Sequence, residues 1–144
     1  MKSRKQELID LSNAYMGVLS DLDENNHRDM DALMSLFDPE IDYQIPFLEK
    51  PLRCRGRDET RAFLDRVQGT FTEVEYDVEH RYVDEEQDTI IIEMTAKRRL
   101  LPGRELYSNR YVMRLTFRER RIAELREYLN PLAAAPLSAR LDLN

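Results

Sequence analysis

The chain has 144 residues, 42% hydrophobic and 35% charged, which is enough apolar material for the core of one domain and not the composition of a disordered segment. A net charge of -6 and a sequence pI near 5.1 argue against nucleic acid as a partner, because phosphate recognition needs a basic surface. No apolar run approaches the roughly 20 residues of a membrane span, so no membrane partner is expected. Cys54 is the single cysteine, which excludes an internal disulfide and suits a reducing compartment. The opening Met-Lys-Ser-Arg-Lys-Gln leads into a charged amphipathic segment rather than the apolar core of a signal peptide, and a cytoplasmic location is expected.

Residues 4–22 place Leu8, Leu11, Tyr15, Val18, Leu19 and Leu22 at spacings of three and four, the stripe of a helix, with Ser3 and Gln6 as a capping box. A second short helix carries Met30, Leu33, Met34 and Phe37 inward and ends at Asp38-Pro39, since the residue before proline avoids helical angles. Ile41, Tyr43, Ile45 and Phe47 alternate as a strand that Pro46 terminates or confines to an edge. A loop runs to Gly56, and residues 57–68 return to helical spacing through Phe63, Leu64 and Val67.

From residue 72 the period is two. Val74, Tyr76, Val78, His80 and Tyr82 share one face of a first long strand, and Ile90, Ile92, Met94 and Ala96 one face of a second. After the turn Pro102-Gly103, a third strand groups Tyr107, Asn109, Tyr111, Met113, Leu115 and Phe117. A fourth, from Ile122, groups Ala123, Leu125, Glu127 and Leu129. The basic runs Lys97-Arg98-Arg99 and Arg118-Glu119-Arg120-Arg121 read as solvated surface. Helices followed by a meander of long strands make an α+β domain over residues 1–131, with a tail, 132–144, that is either docked or mobile.

The alternation leaves three polar residues on apolar faces, His80, Asn109 and Glu127. A buried, unpaired carboxylate has its pKa raised, which suits a general acid or base near neutral pH. Asn109 can donate to a carbonyl or oxyanion, and His80 can shuttle a proton. Each also has a structural reading: a hydrogen-bonded core histidine, an asparagine serving the backbone, and a glutamate paired with Arg110 or Arg126 at the sheet rim. The tyrosines, Tyr15, Tyr43 and Tyr111 among them, fill the core, with one or two hydroxyls free for a ligand. His27, His80 and Cys54 lack metal-ligand spacing, and four glycines form no phosphate loop, so neither metal nor cofactor is expected.

The pattern resembles the nuclear transport factor 2-like superfamily over residues 4 to about 131, through Leu36-Phe37-Asp38-Pro39, the strand to Phe47, Gly56 opening a helix, Tyr107-Ser108-Asn109-Arg110-Tyr111, and Ile122 through Glu127-Tyr128-Leu129-Asn130-Pro131. Within it the chain is similar to the SnoaL-like polyketide cyclase and ketosteroid isomerase-like group and to the phenazine-biosynthesis A/B proteins. The resemblance implies a cone, a strongly bent and mostly antiparallel sheet wrapped around three N-terminal helices, with an internal apolar pocket. It also implies a homodimer formed through the outer sheet face.

Most family catalytic positions are not kept. Ile45 stands where ketosteroid isomerases have their base aspartate, and Met113 near their second acid. Phe63 and Ser108 replace the histidine and glutamate of the phenazine proteins. Arg110 is a counterpart of the arginine of limonene epoxide hydrolase-like members, but Val112 replaces one of their acids. Glu127 alone matches an acid of the last strand. The expectation is therefore cofactor-independent acid-base chemistry, a cyclisation or isomerisation of an apolar carbonyl or epoxide compound. Glu127 would be the catalytic residue, with Asn109, His80, Tyr15, Tyr43 and Tyr111 binding the substrate. The alternative is a non-catalytic ligand-binding or assembly module of the same fold.

Overall fold

The structure, a computed structural model, describes residues 1–142. Helix α1 (Arg4–Ser20) begins at Ser3, whose hydroxyl accepts from the Gln6 amide at 3.1 Å, and buries Leu8, Ser12, Tyr15, Met16 and Leu19. Helix α2 (Met30–Ser35) is capped by Asp29 and is shorter than the apolar spacing suggests, because Phe37 already belongs to strand β1 (Phe37–Ile45). That strand ends before Pro46 and leaves Phe47 exposed. The expected loop to Gly56 contains a short strand, β2 (Leu52–Arg55), paired antiparallel with β1. Gly56, at φ +84°, turns the chain directly into α3 (Gly56–Val67).

The four long strands are β3 (Phe71–Asp84), β4 (Thr89–Leu100), β5 (Glu105–Arg118) and β6 (Arg121–Leu129). They form the expected meander, and β1 adds to it by parallel pairing with β6, giving one mixed sheet in the order β2-β1-β6-β5-β4-β3. The sheet does not close into a barrel. Its inner face carries Ile90, Ile92, Met94, Tyr107, Tyr111, Met113, Leu115 and Leu125, which pack against α1, α2 and α3 in a single core. This is the expected α+β cone.

Two departures matter for the site. In β3 the register slips between Val78, opposite Met94, and His80, opposite Glu93. Such a bulge exchanges the two faces of a strand. The second departure is the tail, where Pro131–Arg140 forms a fourth helix, α4, started by Pro131 and capped by the Asn130 side chain on the Leu132 amide. It lies on β5 and buries Ala134, Ser138 and Leu141.

Candidate active site

Between the inner sheet face and the helices lies a cavity of about 80 Å³, lined mostly by apolar side chains, among them Leu19, Phe63, Leu64, Met94, Met113 and Leu129, and closed on one side by Ala134 and Leu137 of α4 and by Leu141 at its C-cap. That is room for several water molecules or a small ligand. Its polar lining comes from Tyr15, Arg28, Tyr76, Arg98, Tyr107, Tyr111, Glu127 and Ser138.

Glu127 reaches the cavity because its parity on β6 is that of Leu125 and Leu129. It is half-buried and lines the cavity. Its Oε1 accepts from the Tyr43 hydroxyl at 2.8 Å, and among the described residues Oε2 has no hydrogen-bond partner. Burial raises the Glu127 pKa above the ordinary carboxyl value, against the opposing pull of the Tyr43 hydrogen bond and the charges of Arg98 and Arg28. The rim pairing with Arg110 or Arg126 does not form: Arg110 binds Glu79, and Arg126 binds Asp42 and Glu124.

Tyr15 lines the cavity, and its hydroxyl has no hydrogen-bond partner among the described residues. Burial, and then the nearby Glu127 carboxylate, keep its pKa well above the usual phenol value, so it presents a neutral O–H donor. Tyr111 lines the cavity too, with its hydroxyl 2.7 Å from that of Tyr107. Asn109 is buried immediately behind them. It donates to the Tyr107 hydroxyl and to the Asn130 carbonyl, each at 3.0 Å, and accepts from the Asn130 amide at 3.0 Å. Its hydrogen-bonding groups are thus used by the protein, and its influence on the cavity passes through Tyr107.

His80 requires a correction. Strict alternation carries it inward with Tyr76 and Val78, but the β3 bulge turns it outward, where it is exposed and stacks loosely on Tyr82 at 6.0 Å between ring centroids. It is not part of the cavity.

Two charged cavity residues are absent from the sequence-based expectation. Arg98 belongs to a run read as solvated, yet it continues the inward even-numbered series Ile90, Ile92, Met94 and Ala96 and is only 8% exposed. Parity along β4 was the available signal. Arg28 sits in the loop before α2, where no periodicity applies, and is 7% exposed. It donates from Nε to the Leu19 carbonyl and from Nη2 to the Tyr76 hydroxyl, both at 3.0 Å. Among the described residues no cluster of histidine, cysteine, aspartate or glutamate is placed to hold a metal ion.

Tyrosine and arginine donors therefore face one carboxyl group across an apolar space. The arrangement can accept or deliver a proton at Glu127 while polarising a bound oxygen.

A search of curated proteins by sequence finds no match. Among solved structures, a putative isomerase from Bacillus subtilis superposes with a TM-score of 0.81 at 17% identity, covering 96% of this chain and 97% of that one. BvnE pinacolase from Penicillium brevicompactum gives 0.76 at 16%, covering 100% and 97%. An LEH-like epoxide hydrolase of M. tuberculosis gives 0.71 at 19%, covering 96% and 93%. At these identities the likeness is one of fold, shared also with NTF2-like proteins. The family model of the SnoaL-like domain matches residues 22–125, well over half of the chain. With its bent sheet, helical filling and internal cavity, the chain belongs to the SnoaL-like domain family.

Proposed function

We propose that the protein is a cofactor-independent enzyme that isomerises or cyclises a small, largely apolar carbonyl or epoxide compound by acid-base chemistry. The observation that carries this reading is the Glu127 carboxyl group, enclosed in an apolar cavity with one oxygen on Tyr43 and the other unpartnered. Glu127 moves the proton. The Tyr15 hydroxyl donates to the substrate oxygen, and Tyr111, held by Tyr107 and Asn109, helps to orient it. Solved proteins of the same fold that are described as an isomerase, a pinacolase and an epoxide hydrolase favour this class of chemistry.

The test is deuterium incorporation from D₂O at the α-carbon of enolisable ketones, together with epoxide turnover, followed by NMR. Activity in the wild type that is lost in Glu127→Gln supports the reading, whereas unchanged turnover in that variant refutes it.

One observation favours the rival reading of a binding or assembly module. A space of about 80 Å³ is small beside the roughly 300–1,000 Å³ common for ligand pockets. Absence of turnover across the panel, with a cavity that stays unliganded in solution, would favour that module.

The cytoplasm is the proposed compartment and a homodimer through the outer sheet face the proposed assembly. Exposed Phe47 meets Tyr128 edge-on at 5.2 Å between centroids, beside exposed Val112, which leaves apolar surface there. Light scattering on wild type and Val112→Arg tests it, since only the wild type should have the mass of two chains.

A further inference from the structure

The charges on the cavity wall do not balance. Arg28 and Arg98 are both more than nine-tenths buried, and neither forms a salt bridge among the described residues. Glu127 supplies at most one negative charge. The cavity of a protein with net charge -6 therefore carries an excess of positive charge. A buried charge without a counter-charge is strongly unfavourable, and folding does not by itself explain its presence.

Arg98 is the sharper case. Among the described residues three arginines have a buried Nε without a partner, namely Arg57, Arg98 and Arg114. Arg57 and Arg114 bond through another nitrogen, to the Phe37 carbonyl and to Glu124. Arg98 has no hydrogen bond from any of its guanidinium nitrogens among the described residues. What it does have is stacking: its Cζ lies 4.6 Å from the Phe71 ring centroid and 5.3 Å from that of Tyr107. Aromatic rings over a guanidinium leave its N–H donors to other partners; Nε is buried out of reach, so Nη1 and Nη2 are the pair that can meet a carboxylate. Arg28 lies 5.1 Å from the same Phe71 ring, so two cations share one aromatic support.

We propose that Arg98 is the anchor for an anionic ligand, and that the compound taken by this cavity is a small acid. It would have an apolar body against Leu19, Met94 and Met113 and a carboxylate on the guanidinium edge, with Arg28 adding to the positive field. The proposal rests on the reading of the cavity as a substrate site, and it narrows the substrate from an apolar carbonyl compound to one that also bears an ionised acid group. Arg98 binds the acid, while the proton chemistry stays with Glu127.

The experiment compares acetate, isobutyrate and benzoate with acetamide, isobutyramide and benzamide by calorimetric titration and thermal shift at neutral pH. At least one acid is expected to bind about ten- to a hundredfold more tightly than its amide. Arg98→Met is expected to abolish that preference while melting no lower than the wild type, because it removes an unpaired buried charge. Arg98→Lys should keep part of the preference. Equal binding of acids and amides, or no binding of any acid, overturns the proposal. So does an Arg98→Met protein that is markedly destabilised, which would make Arg98 a structural clamp for Phe71 and Tyr107. Acid binding that persists in Glu127→Gln, with catalysis unaffected by that substitution, would leave the anion site standing and remove only the acid-base role of Glu127.

Discussion

The Tyr43 hydroxyl donates to Glu127 Oε1 at 2.8 Å between two strands that run parallel, although the residues stand 84 positions apart in the chain. This bond stabilises the carboxylate form, while burial favours the carboxylic acid, and burial prevails.

The sign of that balance sets a pH dependence. A carboxyl group whose folded pKa is raised binds its proton more tightly in the native state, so stability falls as pH climbs from the ordinary carboxyl range through the folded value. The Tyr15, Tyr43 and Tyr111 hydroxyls, held well above their usual value by burial, stay neutral in that window, and the Arg98 guanidinium, whose pKa is raised, keeps its charge. Glu127→Gln should therefore melt higher than the wild type at pH 8, with the difference shrinking toward pH 4. Scanning calorimetry across that range checks it. A variant that melts lower at pH 8 would mean that the ionised carboxylate is stabilised in place.

Removing the Tyr43 hydroxyl acts on the same balance from the other side. Tyr43→Phe should cost about 1–2 kcal/mol in urea unfolding at pH 7 and move the Glu127 titration upward. The carboxylic acid C=O band in infrared spectra, identified by its loss in Glu127→Gln, follows that titration directly.

Asn109 ties β5 to the start of α4 and supports Tyr107. Asn109→Leu leaves the Asn130 amide and carbonyl without their partner and should destabilise the protein by about 2–4 kcal/mol. Hydrogen exchange should accelerate first in residues 131–140. Uniform acceleration over the whole chain would show that α4 does not depend on this contact.

Two exposed or inert positions give expected nulls with content. His80→Ala, outside the cavity, should change stability by less than about 0.5 kcal/mol and leave turnover unaltered. Cys54 is buried, and desolvation, with the nearby Glu59 charge adding to it, pushes its thiol up to about 11. A thiol reagent at pH 8 should label it only after unfolding. Rapid labelling of the native protein would contradict the packing around β2.

Much of this architecture is legible from alternation alone. Tyr107 to Phe117 read inward as a set and are buried as a set, because a strand with one solvated face has a strict period of two. Glu127 became a candidate for the same reason. The misses have particular causes. Strict alternation takes no account of a bulge, so it puts His80 on the inner face. The charged neighbours of Arg98 suggest solvent, whereas its parity with Ala96 points inward. Arg28 lies in a loop, where only the folded chain decides what is enclosed. Strand β2 is four residues long, between Pro51 and Gly56, too short for a period to emerge. Helix α4 contains an internal proline, and its apolar residues gain meaning only against the cavity they close.

The parallel pairing of β1 with β6 has a kinetic consequence. Strands β3 to β6 can zip up as successive hairpins, each closing a short loop, but β1 finds its partner only after the chain between them has been ordered. Docking of that seam should be a late event, with transition-state contacts weak at Ile41 and Tyr43 and stronger along β4 and β5. The bond between Tyr43 and Glu127 spans the same seam. The Glu127 carboxyl group would thus acquire its Tyr43 partner in the step that completes the native sheet, so that a partly folded chain has a sheet and a core but an unassembled cavity wall.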